Sequence, residues 1–148
     1  MARSKTYDIF LSHSSLDNDF TNKLHSLLEQ AGFNVWYDEK KMTSNTHILS
    51  DLPKYISDSE AFIVILSNNS CSSSWVQDEY GYARGLYDKK ELKAIIPVVI
   101  DDCDIPGFYN NYKWIDCKED LTPVAFFAIL AALYGSSENM REEKDVYV

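Results

Sequence analysis

Cysteine and histidine are scarce in this chain of 148 residues, which has three of each. The cysteines Cys71, Cys103 and Cys117 form no CxxC pair, and their spacing matches no zinc site. An odd number of widely spaced cysteines also argues against a disulfide framework, so we expect reduced thiols in the cytoplasm and no bound metal. The start, Met1 to Thr6, lacks the apolar segment of a secretory signal.

Basic residues are also few, and no apolar run is long. Fourteen Lys and Arg stand against 23 Asp and Glu, which gives a net charge of −9. Binding to nucleic acid or to an anionic membrane surface needs basic patches, so we expect neither partner. The longest apolar run, Val124 to Tyr134, is too short to cross a bilayer and predicts a buried helix.

The common glycine-rich phosphate-binding motifs are absent. No GxGxxG follows the first predicted strand, and no GxxxxGK[ST] occurs. The ends of predicted strands one and three hold Ser12, His13 and Ser67, where a phosphoacceptor domain would need acids. No nucleophile elbow surrounds Ser67, which argues against a serine hydrolase. A phosphate held by Ser12, Ser14 and Ser15 at a helix N-terminus stays open as an alternative.

Short β-rich runs alternate with helical patterns along the chain. The five predicted strands are Tyr7 to Leu11, Phe33 to Tyr37, Ala61 to Leu66, a run within Lys93 to Ile100, and Tyr112 to Asp116. The predicted helices are Leu16 to Ala31, Ile48 to Ile56, Trp75 to Tyr87, and Leu121 to Tyr134. This alternation predicts an α/β, flavodoxin-like fold of three layers, with a five-stranded parallel sheet in the order 2-1-3-4-5.

Local signals predict where these elements begin and end. Ser15 is predicted to cap the first helix, and Gly32 to end it. Ser74 with Gln77 predicts a capping box at the third helix, after a loop from Ser67 to Ser74.

We predict one domain over residues 1–135 and a charged tail over residues 136–148. The tail is either a frayed terminus or the start of a linker to a further domain.

Ligands of such sheets bind beyond the carboxyl ends of the strands, near the switch between strands one and three. Ser12 and His13 end the first strand, and Tyr37 and Asp38 end the second, so we expect all four to line this cleft.

The third predicted helix carries an acid on its apolar face. At about 100° per residue, Glu79 falls in the middle of a predicted buried face made of Trp75, Val76, Tyr80, Tyr82, Ala83, Leu86 and Tyr87. A buried carboxylate costs free energy unless it is paired or functional. Glu79 therefore either caps a loop or pairs with a lysine, or it is the functional carboxylate of the cleft.

Four segments in this order carry a family resemblance. They are YDIFLSHS from Tyr7, FNVWYD from Phe33, AFIVILS from Ala61, and SWVQDE from Ser74 to Glu79, an S-W-x-x-x-E pattern. Together they resemble a TIR domain over about Tyr7 to Gly135, and the bacterial TIR enzymes more closely than the animal adaptors. Asp38 would then begin the mobile BB loop of that family.

The resemblance implies an enzyme that cleaves NAD+ at the nicotinamide–ribose bond, with Glu79 as the catalytic residue. The products would be nicotinamide and either ADP-ribose or a cyclic isomer, in bacterial immune signalling against phage. NAD+ would be the substrate, and no cofactor is expected. The substrate-binding residues would be Ser12, His13, Tyr37, Asp38 and Trp75, where Trp75 either stacks on a flat ring or packs in the core.

Two other functions stay open at this point. TIR adaptors signal by binding other TIR domains without catalysis, and deoxyribosyltransferase-like enzymes use a similar sheet and a Glu to act on other nucleosides.

The resemblance also implies self-association through the loop Asp38 to His47. That loop has one apolar residue, Met42, which is too few to enclose a dinucleotide. We therefore expect activity to depend on contact with a second copy.

Overall fold

A five-stranded parallel sheet forms the centre of the protein in a computed structural model, which describes residues 5–37 and 52–135. The strands are β1 (Tyr7–Ser12), β2 (Val35–Tyr37), β3 (Ser59–Leu66), β4 (Ala94–Val99) and β5 (Ile115–Asp116). They lie in the order β2-β1-β3-β4-β5, and every neighbouring pair is parallel. The predicted fold class and strand order are therefore confirmed.

The carboxyl ends of the strands meet along one edge of the sheet. Leu11 pairs with Tyr37, Ser12 pairs with Val64, and Leu66 pairs with Val99. This register places the polar residues that follow β1, β2 and β3 side by side, as expected for a doubly wound sheet.

Five helices and two 3₁₀ segments complete the described fold. The helices are α1 (Asn18–Gln30), α2 (Leu52–Ser57), α3 (Asn68–Cys71), α4 (Ser74–Asp88) and α5 (Pro123–Gly135). The 3₁₀ segments are Ser15–Asp17 and Gly107–Asn111.

Alternating strand residues divide the core into two clusters. On β1, Ile9 belongs to the cluster that includes α1 and α5, whereas Phe10 belongs to the cluster that includes α2 and α4. Side chains alternate between the faces of a strand, so the helices cover both faces of the sheet and form three layers. All residues of β3 from Ala61 to Leu66 are buried, as their continuous apolar run predicts.

Several predicted element ends are wrong by a few residues. Ser14, and not Ser15, caps the first turn, because its hydroxyl accepts the N–H of Leu16 at 3.2 Å and starts the 3₁₀ segment before α1. Gly32 has φ +98°, a left-handed conformation that suits glycine, so the predicted end of α1 is confirmed. Strands β2 and β5 are shorter than predicted, and α2 is described only from Leu52 onward.

The helix α5 is less buried than its apolar sequence predicts. Ala125 and Ile129 are buried in the core, but Val124, Phe127 and Tyr134 are 79%, 68% and 59% exposed. A helix that lies on the outside of a sheet buries one face only, and a sequence that is apolar all round does not show which face that is. No helix of the described segments is long and apolar enough to cross a membrane.

Candidate active site

The candidate site lies at the carboxyl end of β1, where two side chains are almost fully buried. Ser12 ends the strand with 1% of its surface exposed, and His13 follows it with 0% exposed. Both residues therefore line the inside of the edge where the sequence predicts a cleft.

Glu79 reaches this edge from α4. Three neighbours on that helix, Val76, Tyr80 and Ala83, are buried in the same cluster as Phe10 of β1. Packing of this face holds Glu79 against the sheet with only 3% of its surface exposed. The predicted placement of this acid in the middle of a buried helical face is confirmed.

The carboxylate of Glu79 is bound by the end of β1. Oγ of Ser12 donates a hydrogen bond of 2.7 Å to Oε1 of Glu79, and both atoms are buried. A hydrogen bond to a carboxylate is about twice as strong as one between neutral groups. This contact therefore offsets part of the cost of burying the acid and fixes its orientation.

His13 and Tyr37 form the neighbouring wall. Nε2 of His13 lies 3.2 Å from Oδ1 of Asn18, and since that oxygen is an acceptor, Nε2 carries the proton in this contact. The Tyr37 ring lies 6.3 Å from the ring of His13 and 4.1 Å from the ring of His25. Tyr37 therefore lies near two imidazoles, and that of His25 is not predicted from the sequence to be at the site.

Trp75 lies one turn before Glu79 on α4 and is half-buried. The buried face is thus narrower than predicted. Tyr82 and Tyr87, which the sequence predicts to be buried on this face, are 41% and 38% exposed. Polar and ring contacts at the surface hold these tyrosines instead. Tyr82 shares a hydrogen bond of 3.1 Å with Ser57, and the Tyr87 ring packs edge-on against another tyrosine.

The start of α4 also differs from its prediction. The hydroxyl of Ser73, and not that of Ser74, accepts the N–H of Val76 at 3.3 Å. The segment from Ser67, predicted to be a loop, contains α3, and its capping box joins Ser67 and Ser70. Three consecutive serines at 72–74 offer three similar caps, so the sequence alone does not choose among them.

A second buried polar cluster, which the sequence alone does not predict, lies at the same edge. The carboxylate of Asp17 accepts hydrogen bonds from Oγ of Ser67 at 2.5 Å and from Nδ2 of Asn69 at 2.9 Å. The hydroxyl of Ser67 in turn accepts the N–H of Ser70 at 3.0 Å. This cluster joins the loop after β1 to the start of α3. The signal that could have revealed it is the Ser-x-x-Ser spacing at the end of β3.

The described residues thus bring together Ser12 with Glu79, and His13 with Tyr37. Asp38 and the rest of the loop to His47 lie outside the described residues, as does the predicted tail. Within residues 5–37 and 52–135, no three His, Cys, Asp or Glu side chains group as metal ligands. The arrangement offers one oriented, buried carboxylate beside polar and aromatic groups, which suits stabilisation of a developing positive charge.

Comparison with known proteins connects this site to a family. The family model described as "TIR domain" matches residues 9–143. A probable 2′ cyclic ADP-D-ribose synthase, TcpO of Methanobrevibacter olleyae, is 34% identical over 144 residues, which are 95% of this chain and 40% of that protein. A probable 3′ cyclic ADP-D-ribose synthase, ThsB′ of Bacillus cereus, is 30% identical over 76% of this chain and 59% of that protein.

The chain therefore spans less than two thirds of the length of these two curated relatives. Among solved structures, the TIR domain of the Toll-related receptor TRR-2 from Hydra magnipapillata aligns with a TM-score of 0.70 at 20% identity. That alignment covers 87% of this chain and 99% of the other, and it shows the same fold. The family model and the identity to TcpO over nearly the whole chain show that this protein belongs to the TIR domain family.

Proposed function

We propose that this chain is a TIR enzyme that cleaves NAD+ at the bond between nicotinamide and ribose. The observation that carries the proposal is the buried carboxylate of Glu79, held by Ser12 at the carboxyl edge of the sheet. The names of the two curated relatives, each a probable cyclic ADP-D-ribose synthase, support the same substrate class.

One carboxylate is enough for this chemistry. Nicotinamide leaves from a pyridinium as a neutral molecule, so no acid has to protonate the leaving group, in contrast to the two carboxyl groups of O-glycosidases. Glu79 would stabilise the oxocarbenium charge on the ribose as the bond breaks. Water then attacks C1′ and loses a proton to give ADP-ribose, or a hydroxyl of the adenosine ribose attacks C1′ and loses its proton to give a cyclic isomer.

The remaining predicted residues would bind the substrate. Trp75 and Tyr37, both half-buried, offer aromatic surfaces for the nicotinamide or adenine ring. Ser12, His13 and Asp38 would orient the ribose and phosphate groups. We also propose that the reaction serves immune signalling in the cytoplasm of a bacterium and needs no cofactor.

Self-association is part of the proposal. The loop Asp38 to His47 has one apolar residue, so it lacks the side chains that would close a dinucleotide site within one chain. A second copy that places its own loop beside the site would supply the missing wall and would form a head-to-tail contact able to repeat.

The decisive experiment is incubation of concentrated, purified protein with NAD+, followed by chromatography of the products. We expect release of nicotinamide with an equal amount of ADP-ribose or a cyclic isomer. Folded protein that releases no nicotinamide at any concentration would favour the alternative, a non-catalytic TIR–TIR interaction module. Cleavage of nucleosides but not of NAD+ would favour a deoxyribosyltransferase-like enzyme.

A further inference from the structure

The carboxylate of Asp17 connects two segments of the chain at the edge of the candidate site. Asp17 is buried and ends the 3₁₀ segment that follows β1. Its two oxygens have different partners, since Oδ2 accepts the hydrogen bond of 2.5 Å from Ser67 and Oδ1 accepts that of 2.9 Å from Asn69. Ser67 directly follows β3, and Asn69 lies in α3. One buried carboxylate therefore joins the end of β1 to the end of β3.

The side chain of Asp17 is directed away from its own helix. Asp17 stands immediately before α1, where an aspartate usually caps the first N–H groups. Within the described helix α1, however, this side chain caps no backbone N–H. The backbone of Asp17 is held instead, because its N–H donates to the carbonyl of Ser14 and its carbonyl accepts from Oγ1 of the buried Thr21, both at 2.9 Å. The turn is thus fixed by its backbone, and the carboxylate serves the contact with α3.

Two further contacts lead from Asp17 to α4. The Ser67 hydroxyl that donates to Asp17 also accepts the N–H of Ser70 at 3.0 Å, which fixes the first turn of α3. The carbonyl of Ser70 accepts a hydrogen bond of 3.3 Å from Nε2 of Gln77. Gln77 lies in α4, two positions before Glu79. A continuous series of hydrogen bonds therefore links Asp17 to the helix that carries the buried acid.

Two connections thus hold α4 to the end of β1. The first is the direct hydrogen bond from Ser12 to Glu79. The second runs through Asp17 and α3, and both begin in the short segment from Ser12 to Asp17. Because they join the same two elements, a change in the second connection alters the geometry of the first.

We propose that Asp17 is a positioning residue for the cleavage of NAD+, an inference that rests on the function proposed above. Through α3, Asp17 sets the distance and orientation of Glu79 relative to Ser12 and His13. A displacement of about 1 Å in an active site can lower the rate about 100-fold, even when the substituted residue is far from the reacting atoms. Asp17 therefore acts on the rate through Glu79, without touching the substrate.

The first measurement is the steady-state kinetics of NAD+ cleavage by Asp17→Asn, which loses the charge and one acceptor oxygen. We expect kcat to fall by about 10-fold and KM to stay within about twofold, because the geometry of the transition state is disturbed more than substrate binding. Asn69→Ala keeps the charge of Asp17 and should lower kcat in the same direction. The matched control is Asp19→Asn, an exposed acid in the first turn of α1, which should keep its activity.

A second measurement separates positioning from a loss of folded protein. Methanol is added as a competing nucleophile, and the ratio of the methyl glycoside of ADP-ribose to the other ribosyl products is determined by chromatography. This ratio depends on how the site holds the cleaved ribose, and the fraction of folded molecules does not affect it. Asp17→Asn and Asn69→Ala should each change the ratio by at least about twofold, whereas Asp19→Asn should not.

The outcomes distinguish this inference from the proposed function. Wild-type protein that releases no nicotinamide would refute the proposed function, and this inference with it. An active wild type with an unchanged product ratio in folded Asp17→Asn would refute this inference alone. A change in Asp17→Asn but not in Asn69→Ala would also refute it, because the charge and not the connection would then matter. If Asp17→Asn does not fold, Asn69→Ala and Ser67→Ala decide by the same ratio.

Discussion

The hydroxyl of Ser12 donates a hydrogen bond of 2.7 Å to the carboxylate of Glu79, although the two residues are 67 positions apart in the chain. One belongs to the end of a central strand and the other to the first turns of a helix, so the contact joins the two elements of the candidate site. The acid is thus oriented by the sheet as well as by its own helix, and both partners can be tested separately.

Replacement of Glu79 by Gln should lower the rate of NAD+ cleavage by at least about 100-fold, because the amide has nearly the same size but no charge to stabilise the cation. The variant should stay folded, since a buried amide costs less than a buried carboxylate. The measurement is nicotinamide release, with thermal unfolding as the check of folding. The matched control is Asp78→Asn on the exposed side of α4, which should keep its activity. Near-normal cleavage by folded Glu79→Gln would eliminate Glu79 as the catalytic residue.

Replacement of Ser12 by Ala should lower kcat/KM for NAD+ by about 10-fold or more, because a hydrogen bond to a charged group is worth about 1.5–3 kcal/mol. The effect should appear mainly in kcat if Ser12 orients Glu79 in the transition state, and mainly in KM if it only binds substrate. Ser26→Ala, on the exposed side of α1, is the control. Unchanged kinetics for Ser12→Ala would show that the contact has no part in catalysis.

Replacement of Asp17 by Ala should lower the free energy of unfolding by about 2–4 kcal/mol, because Ser67 and Asn69 both lose their acceptor in a buried cluster. Urea denaturation measures this change. Asp19 is also an acid near the start of α1, but it is exposed, so Asp19→Ala should change stability by less than about 0.5 kcal/mol. Equal effects of the two substitutions would refute a special role of the buried cluster.

Replacement of Gly32 by Ala should destabilise the protein by about 1–2 kcal/mol for a backbone reason alone. Its φ is +98°, and a Cβ built there meets no atom within 4 Å, so no steric clash contributes. Gly81 has the same open surroundings but lies inside α4, so Gly81→Ala should stabilise the protein by about 0.5–1 kcal/mol. In urea denaturation, the midpoint should therefore fall for Gly32→Ala and rise for Gly81→Ala. A shift of both midpoints in the same direction would contradict this prediction.

The rate of NAD+ cleavage per molecule should rise with protein concentration if a second copy completes the proposed site. Nicotinamide release per molecule is measured across a wide dilution series while light scattering follows the oligomeric state. Molecular crowding should raise the activity of dilute samples in the same way. Constant specific activity from a sample that is monomeric throughout would show that one chain contains a complete site.

The sheet and the buried acid could be predicted because each has a clear local signal, a continuous apolar run for the central strand and a helical period for the face that carries the acid. Six consecutive apolar residues identify β3 as a buried strand, and the spacing of Val76, Tyr80 and Ala83 places Glu79 on the buried face of α4. The exposed face of α5 could not be predicted, because apolar residues on all sides give no contrast between core and solvent. A helix of four residues such as α3 is likewise too short to show a helical period.

The contacts within the site were harder to predict than its elements. Asp17 and Ser67 lie 50 positions apart, and nothing in either local sequence identifies the other as its partner. Their hydrogen bond follows from the pairing of β1 with β3, which brings the two loops to the same edge. The predicted caps, Ser15 and Ser74, each lie one position after the serine that caps the helix. Neighbouring serines can accept the same backbone N–H groups equally well, so the sequence does not choose among them.

The parallel arrangement of the described strands also determines how this protein must fold. No pair of neighbouring strands in the sheet can be joined by a tight turn. Strand β1 lies between β2 and β3, so one of its edges has no partner until β3 begins at Ser59. Strand pairs that are far apart in the sequence form slowly, because loop-closure entropy is lost before native contacts form. The nascent chain therefore exposes one unpaired edge of the apolar segment Ile9 to Leu11 until β3 is made, and its yield in cells should depend on chaperone capacity and growth temperature.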